Sequence, residues 1–327
     1  MLPFSWARPL LWFAALVLLL TAVGGLRSSP RPVVAVVISG ALRTLPECHK
    51  TVKKHIVDAN PSMDFHFYVY VTVDGEAEVS DAQQLVSAAY PNVRSVLVLH
   101  GKQTTRAVRK ALPGLDRLPP GSGTARGKAG NIAKMLLGLS LAEKLRGLPS
   151  PPVLRNLHHV PPQPPNGTAA PAQQHSLVLR LRPDLCFCKP LHLAPLLGTG
   201  SVHVPWRSPG LAFDQIAVGA PLQMARYAAA FDETLPRDVR AGRELYPERA
   251  LGAHLAAARV PLSGLHGFHA SLARGGGHGG RVALEDPYGK LKLDLGNASN
   301  FPPHACAVRG GRAGGKRKGA RRRSRAI

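Results

Sequence analysis

Several short stretches of the chain combine groups able to bind or move charge. In Ser39-Gly40-Ala41-Leu42-Arg43-Thr44, a glycine that permits close backbone approach stands beside a hydroxyl and a guanidinium suited to gripping phosphate through paired hydrogen bonds. In Leu179-Arg180-Leu181-Arg182-Pro183-Asp184 the charged residues alternate with leucines, so on a strand they share one face. Asp214 and Gln215 precede an apolar stretch ending at Gly219. Glu248 follows Pro247 at a helix start, where the dipole stabilises a carboxylate. Each has a plain structural reading when taken alone: the serine-glycine pattern is short, Asp184 can cap the turn after Pro183, and Glu248 need only complement its helix.

The elements that must position these groups alternate along the chain. The β-branched run 33–38 reads as a buried strand ending in the turn Ser39-Gly40, residues 46–57 as a helix and 65–72 as a second strand. Residues 80–89 read as a helix, 93–99 as a third strand, 127–146 as a long amphipathic helix and 176–182 as a fourth strand. Such alternation predicts an α/β fold with a mostly parallel sheet flanked by helices. Open sheets of this kind bind ligands at the carboxyl ends of their strands, which is where both Ser39-Gly40 and Arg182-Pro183-Asp184 fall. The proline-rich stretch 147–175 reads as an exposed loop.

Residues 9–26 carry no charge and would be about 27 Å long as a helix, close to the hydrocarbon thickness of a bilayer. They read as a single N-terminal transmembrane signal anchor behind a cytosolic tail of residues 1–8. A cleaved signal peptide with Ala22-Val23-Gly24 at its cleavage site is the alternative, and would yield a secreted protein. Charge alone does not orient the segment, since Arg8 is balanced by Arg27 and Arg31. Sequons at Asn166 and Asn297 lie in stretches whose composition predicts exposed loops, and they favour a lumenal body after a stem at 27–32. Cys186 and Cys188 are poorly spaced to bond each other; each is able to pair with Cys48 or Cys306 or to stay free, and no metal spacing is present.

The formal net charge is +23. Part of it is the acid-free tail from Arg309 onward, too poor in apolar residues to fold; 306–327 reads as a disordered polycationic segment. Behind a signal anchor such a tail meets acidic glycan, anionic lipid or nothing specific, and no specific nucleic acid partner is expected. Lys102, Arg106, Arg109, Lys110, Arg126, Lys128 and Lys134 form a second basic group, either a pocket for a phosphorylated ligand or a solvated face.

Taken in order, Ser39-Gly40-Ala-Leu-Arg43-Thr44, Gly130-Asn131, Arg180-Leu-Arg182-Pro183-Asp184, Phe213-Asp214-Gln215-Ile-Ala-Val-Gly219 and Pro247-Glu248 through His254-Leu255 resemble a poorly characterised group of glycosyltransferase-like proteins of algae, plants and large viruses. The resemblance covers roughly residues 33–262. It implies a GT-A-like, Rossmann-like domain, here bounded at 33–305, that transfers a sugar from a nucleotide-sugar donor to a glycan, protein or lipid acceptor in the Golgi or endoplasmic reticulum lumen. By resemblance, Ser39, Gly40, Arg43, Lys128, Asn131, Arg180, Arg182 and Asp184 face the donor. These enzymes usually carry an Asp-x-Asp metal motif where this chain has Asp184 alone. Asp184 holding Mn²⁺ or Mg²⁺, or the arginines neutralising the diphosphate themselves, both stay open. Asp214 or Glu248 is the general base of an inverting reaction, which a retaining one would not need. Trp206 and Gln215 fall on the acceptor side, although core is the commoner fate of a tryptophan. A non-catalytic binder of acidic polysaccharide and an inactive transferase-like protein are the competing readings.

Overall fold

The apolar run after Pro32 forms β1 (Val33–Ala41), a strand buried on both faces. The computed structural model describes residues 30–42, 45–75, 78–118, 126–147, 174–205, 211–212, 214–266, 270–275, 281–285 and 292–297. The expected anchor 9–26, the sequon at Asn166, the basic tail, most of the 147–175 loop, Arg43 and Trp206 lie outside them. Among the described residues, no helix is long and apolar enough to cross a membrane.

From β1 the chain passes through α1 (Leu45–Val52) to β2 (Asp64–Val73), α2 (Glu78–Ala89), β3 (Val93–His100), α3 (Gly101–Ala111) and α4 (Arg126–Arg146). It then enters β4 (Leu177–Leu181) and β5 (Leu185–Phe187), followed by β6 (Val202–Val204) and β7 (Ile216–Gly219). Helices α5 (Pro221–Ala228), α6 (Ala230–Glu233), α7 (Leu235–Arg240) and α8 (Pro247–Ala257) precede β8 (Leu262–Gly264). The remaining strands are β9 (Ala270–Gly275), β10 (Arg281–Glu285) and β11 (Lys292–Asn297).

Seven strands make a mixed, mostly parallel sheet in the order β3-β2-β1-β4-β7-β6-β8. The first four run parallel, and β7 returns antiparallel to β4. The chain winds outward from β1 through β2 to β3 and then crosses to β4 on the other side, so the order reverses between β1 and β4. Both faces are covered. Ala35, Val37, Tyr68, Tyr70 and Val178 pack under Leu136 and Leu139 of α4 and Tyr227 of α5. Val34, Val36, Phe67, Val69 and Leu179 pack against Leu45 of α1 and Val86 of α2. Double coverage explains why these strands are nearly continuous in apolar residues.

The structure departs from the sequence expectations in four places. The helix expected at 46–57 is α1 continued by a π-helical turn, Lys53–Val57, whose end is fixed by Asn60: its Nδ2 donates to Ile56 O and Leu191 O at 2.7 and 2.8 Å. The basic residues Lys102 to Lys110, for which no element was expected, lie on a helix, α3, capped by His100. A second, four-stranded sheet, β11-β10-β9-β5, was not foreseen, and Asn297, expected in a loop, is the last residue of β11. The open cysteine question is settled for one pair: Cys48 of α1 is bonded to Cys186 of β5, tying that helix to the smaller sheet, and Cys188 is disulfide-bonded as well.

Candidate functional site

The corner where the chain leaves the seven-stranded sheet for the smaller one is Arg182-Pro183-Asp184, between β4 and β5. Leu185 N donates to Arg182 O at 3.3 Å, closing the turn, and Arg182 N donates to Gln215 O at 3.2 Å just before β7. Because β7 is antiparallel to β4, its start meets the end of β4. Asp214 is thereby brought to Arg182 from 32 positions away in sequence.

Arg182 organises this edge. Its Nε and one terminal nitrogen donate to the two oxygens of Asp184 at 2.8 and 2.6 Å, and its other terminal nitrogen is 3.6 Å from Asp214. Burial alone would lower the pKa of the guanidinium, but the two carboxylates outweigh it and the net direction is up. Arg182 therefore holds both aspartates in a charge-assisted cluster.

Arg180 sits one pair earlier on the same strand face and is 1% exposed. It pairs in register with Val37 of β1 and Ala217 of β7. Burial pulls its pKa down, Tyr227, Asp214 and Asp184 pull it back up, and Arg182 pushes it down further. Burial likewise raises the Tyr227 phenol, on which the charges of Arg180, Asp214 and Glu248 also act. Glu248, at the start of α8, is thus electrically coupled to the cluster through Tyr227, and its backbone carbonyl accepts from Ala212 N at 3.1 Å.

Across the strand-order reversal lie Ser39, buried, and Gly40. Helix α4 places Gly138 against Ser39 and Tyr70, while Arg146, eight residues on, acts on His175 before β4. The helix therefore runs antiparallel to the strands, and its first turns, carrying Lys128 and the exposed Asn131, overlie the carboxyl edge. The Lys128 side chain lies outside the described residues.

Beside this crevice, at the ends of β2 and β3, opens a cleft of about 550 Å³ lined by Asp74, His100, Gly101, Lys102, Thr105, Arg106, Arg109 and Lys134. His100 shapes its floor. Its Nδ1 accepts from Lys102 N at 3.1 Å, which leaves the proton on Nε2 for Asp74 O at 2.5 Å. Four cations face one carboxylate here, an arrangement that attracts anions.

The structure thus gathers Ser39, Gly40, Arg180, Arg182, Asp184, Asp214 and Gln215 at one edge, with Asn131 above, while Glu248 acts electrostatically on Tyr227. Asp184, the candidate metal ligand, is already held by a guanidinium. Among the described residues, no group of three His, Cys, Asp or Glu is arranged to hold an ion. Sequence reasoning missed Tyr227, Asp74 and His100. The strand-end rule that singled out Ser39 and Asp184 applies equally to Asp74 after β2 and His100 at the end of β3, and would have found those two.

Fold and site together define an α/β protein whose charged groups converge at a strand-order reversal, the usual ligand position in open sheets. Comparison of the chain with protein-family models and with curated proteins finds no match.

Proposed function

We propose that the protein is a glycosyltransferase of GT-A-like architecture, acting on a nucleotide-sugar donor and a glycan, protein or lipid acceptor. The observation that carries this reading is Arg182 holding Asp184 and Asp214 at the carboxyl edge beside a cationic cleft. Transfer breaks the bond from the sugar's anomeric carbon to the diphosphate oxygen, which leaves with the electron pair. The acceptor oxygen bonds to the same carbon, and its proton passes to a carboxylate. Asp214 would take that proton, with Glu248 as the alternative base. The charge developing on the leaving diphosphate is balanced by guanidinium groups, a role for which a divalent ion is not needed. Residues 9–26 would anchor this domain as a type II protein of the Golgi or endoplasmic reticulum, with the body in the lumen.

A non-catalytic binder of acidic polysaccharide is the second reading, favoured by the excess of cations over acids in the cleft. Hydrolysis of common nucleotide sugars by the full-length chain, with and without EDTA, separates the two. Donor turnover that survives EDTA and disappears in Asp214→Asn supports the transferase. Absence of both donor binding and hydrolysis across the donor panel overturns it.

A further inference from the structure

Arg180 heads the fully buried side chains of the described residues by volume, and Nε and both terminal nitrogens are buried without a hydrogen-bond partner. An arginine keeps its charge at any physiological pH, so five donors and a full positive charge are enclosed with only longer-range support from Tyr227, Asp214 and Asp184. Such a state is strongly unfavourable unless something compensates it. The neighbouring carboxylates are committed elsewhere, since Arg182 takes both oxygens of Asp184 and approaches Asp214.

A second orphan lies on the neighbouring strand. Ser39 Oγ is buried and without a hydrogen-bond partner. Val37 is the register partner of Arg180, so Ser39, two residues on, lies on the same sheet face at the carboxyl end. The Arg182 side chain, next along that face, is 24% exposed, so solvent reaches the edge one step beyond Arg180. Two unmet polar groups on adjacent strands, flanking the strand-order reversal, call for the same kind of ligand: an anion with several acceptor oxygens.

We propose that Arg180, with Ser39 beside it, is the anion-recognition residue of this site and takes a diphosphate group, whereas Arg182 is a positioning residue for Asp184 and Asp214. The proposal rests on the transferase reading for the source of that diphosphate but makes its own demand on the chain. Inorganic pyrophosphate alone must bind through Arg180.

The test uses the full-length chain purified in detergent, with thermal unfolding followed against pyrophosphate and, as an ionic-strength control, chloride. Pyrophosphate is expected to raise the wild-type midpoint in a saturable way that chloride does not reproduce. In Arg180→Met the midpoint without ligand should equal or exceed that of wild type, because an uncompensated charge has been removed. Its apparent affinity for pyrophosphate should fall roughly 10- to 100-fold, the worth of a charged hydrogen-bonding group. If Arg180→Met does not fold, Arg180→Gln is read in the same way. Undiminished pyrophosphate stabilisation in the variant, or a ligand-free midpoint well below wild type, overturns the proposal. Nucleotide-sugar binding that does not depend on Arg180 would sink this inference alone, whereas failure of the wild type to bind any donor or pyrophosphate sinks the functional reading as well.

Discussion

Gly40 lies so close to Pro183 that a Cβ added at residue 40 would stand 2.8 Å from the proline Cδ. This contact joins the end of β1 to the corner after β4, across the place where the strand order reverses. Its φ of +152° is also one that side-chain-bearing residues rarely adopt. Gly40→Ala should therefore push the two strand ends apart and cost about 1–3 kcal/mol of stability. Donor binding should fall with it, measured by denaturant unfolding and a binding titration on the same preparation. Wild-type values in both would show that the corner is not built on this contact.

The Arg182 cluster yields a prediction of non-additivity. Arg182→Met removes the guanidinium that Asp184 and Asp214 share, and their side chains are 12% and 7% exposed. Leaving buried carboxylates uncompensated should destabilise the chain by about 3–5 kcal/mol. Adding Asp184→Asn to Arg182→Met should restore much of that loss, although Asp184→Asn alone is destabilising. A double-mutant cycle by urea unfolding measures the coupling; additive effects would show that the bidentate pair is not a unit.

The Cys48–Cys186 bond closes a loop with a sequence separation of 138. Loop closure of that size contributes about 4–5 kcal/mol in the chain-entropy model. Cys48→Ser should lower the thermal midpoint by several degrees, and dithiothreitol should lower the wild type but shift the variant less. Equal sensitivity to reductant would contradict the pairing as the source of that stability.

Much of the sheet was legible in the sequence because its strands are unbroken apolar runs between turn residues. β1, β2, β3 and β4 fall within a residue or two of their expected starts. The site was legible where a single strand end carries its own chemistry, as at Ser39-Gly40 and Arg182-Pro183-Asp184. Two things were not. Alternation of Arg180 and Arg182 with leucines suggests a polar face, but α4 and α5 cover that face, so Arg180 is buried instead of presented. The meeting of Arg182 with Asp214 depends on β7 returning antiparallel to β4, a pairing that no local pattern states. The π-helical turn after α1 was hidden for a similar reason, being fixed by Asn60 and the distant Leu191.

The opposite end of the sheet carries a titrating cluster. His175 is buried beside Tyr68, whose hydroxyl is 3.3 Å from its Nε2, and beside His66, which Arg94 contacts at 3.0 Å. Burial, with the charges of Arg146, His66 and Arg94, pushes the His175 pKa down to about 4 from 6.5. Burial and Arg94 lower His66 as well, against a small opposing pull from Asp64. Between pH 6.5 and about 4 the unfolded chain binds protons that the folded chain refuses, so stability falls as pH falls through that window. Thermal midpoints at pH 7.5, 5.5 and 4 should show this decline, and His175→Gln should flatten part of it. An identical slope in the variant would remove His175 from the account.

The cleft at the ends of β2 and β3 offers the most direct test of donor electrostatics. Lys102, Arg106 and Arg109 follow one another at four- and three-residue spacing and so share a face of α3, with Lys134 of α4 opposite. Lys134→Glu changes the local charge by two without touching the core, so the thermal midpoint should stay near that of wild type. Affinity for a nucleotide sugar should drop about tenfold at low salt, and the gap should narrow as salt screens the cleft. Titrations at 20 and 300 mM salt, about a fourfold change in screening length, would reveal the convergence. A loss independent of salt would mean that Lys134 acts by a specific contact, and no loss at all would place the anion away from this cleft.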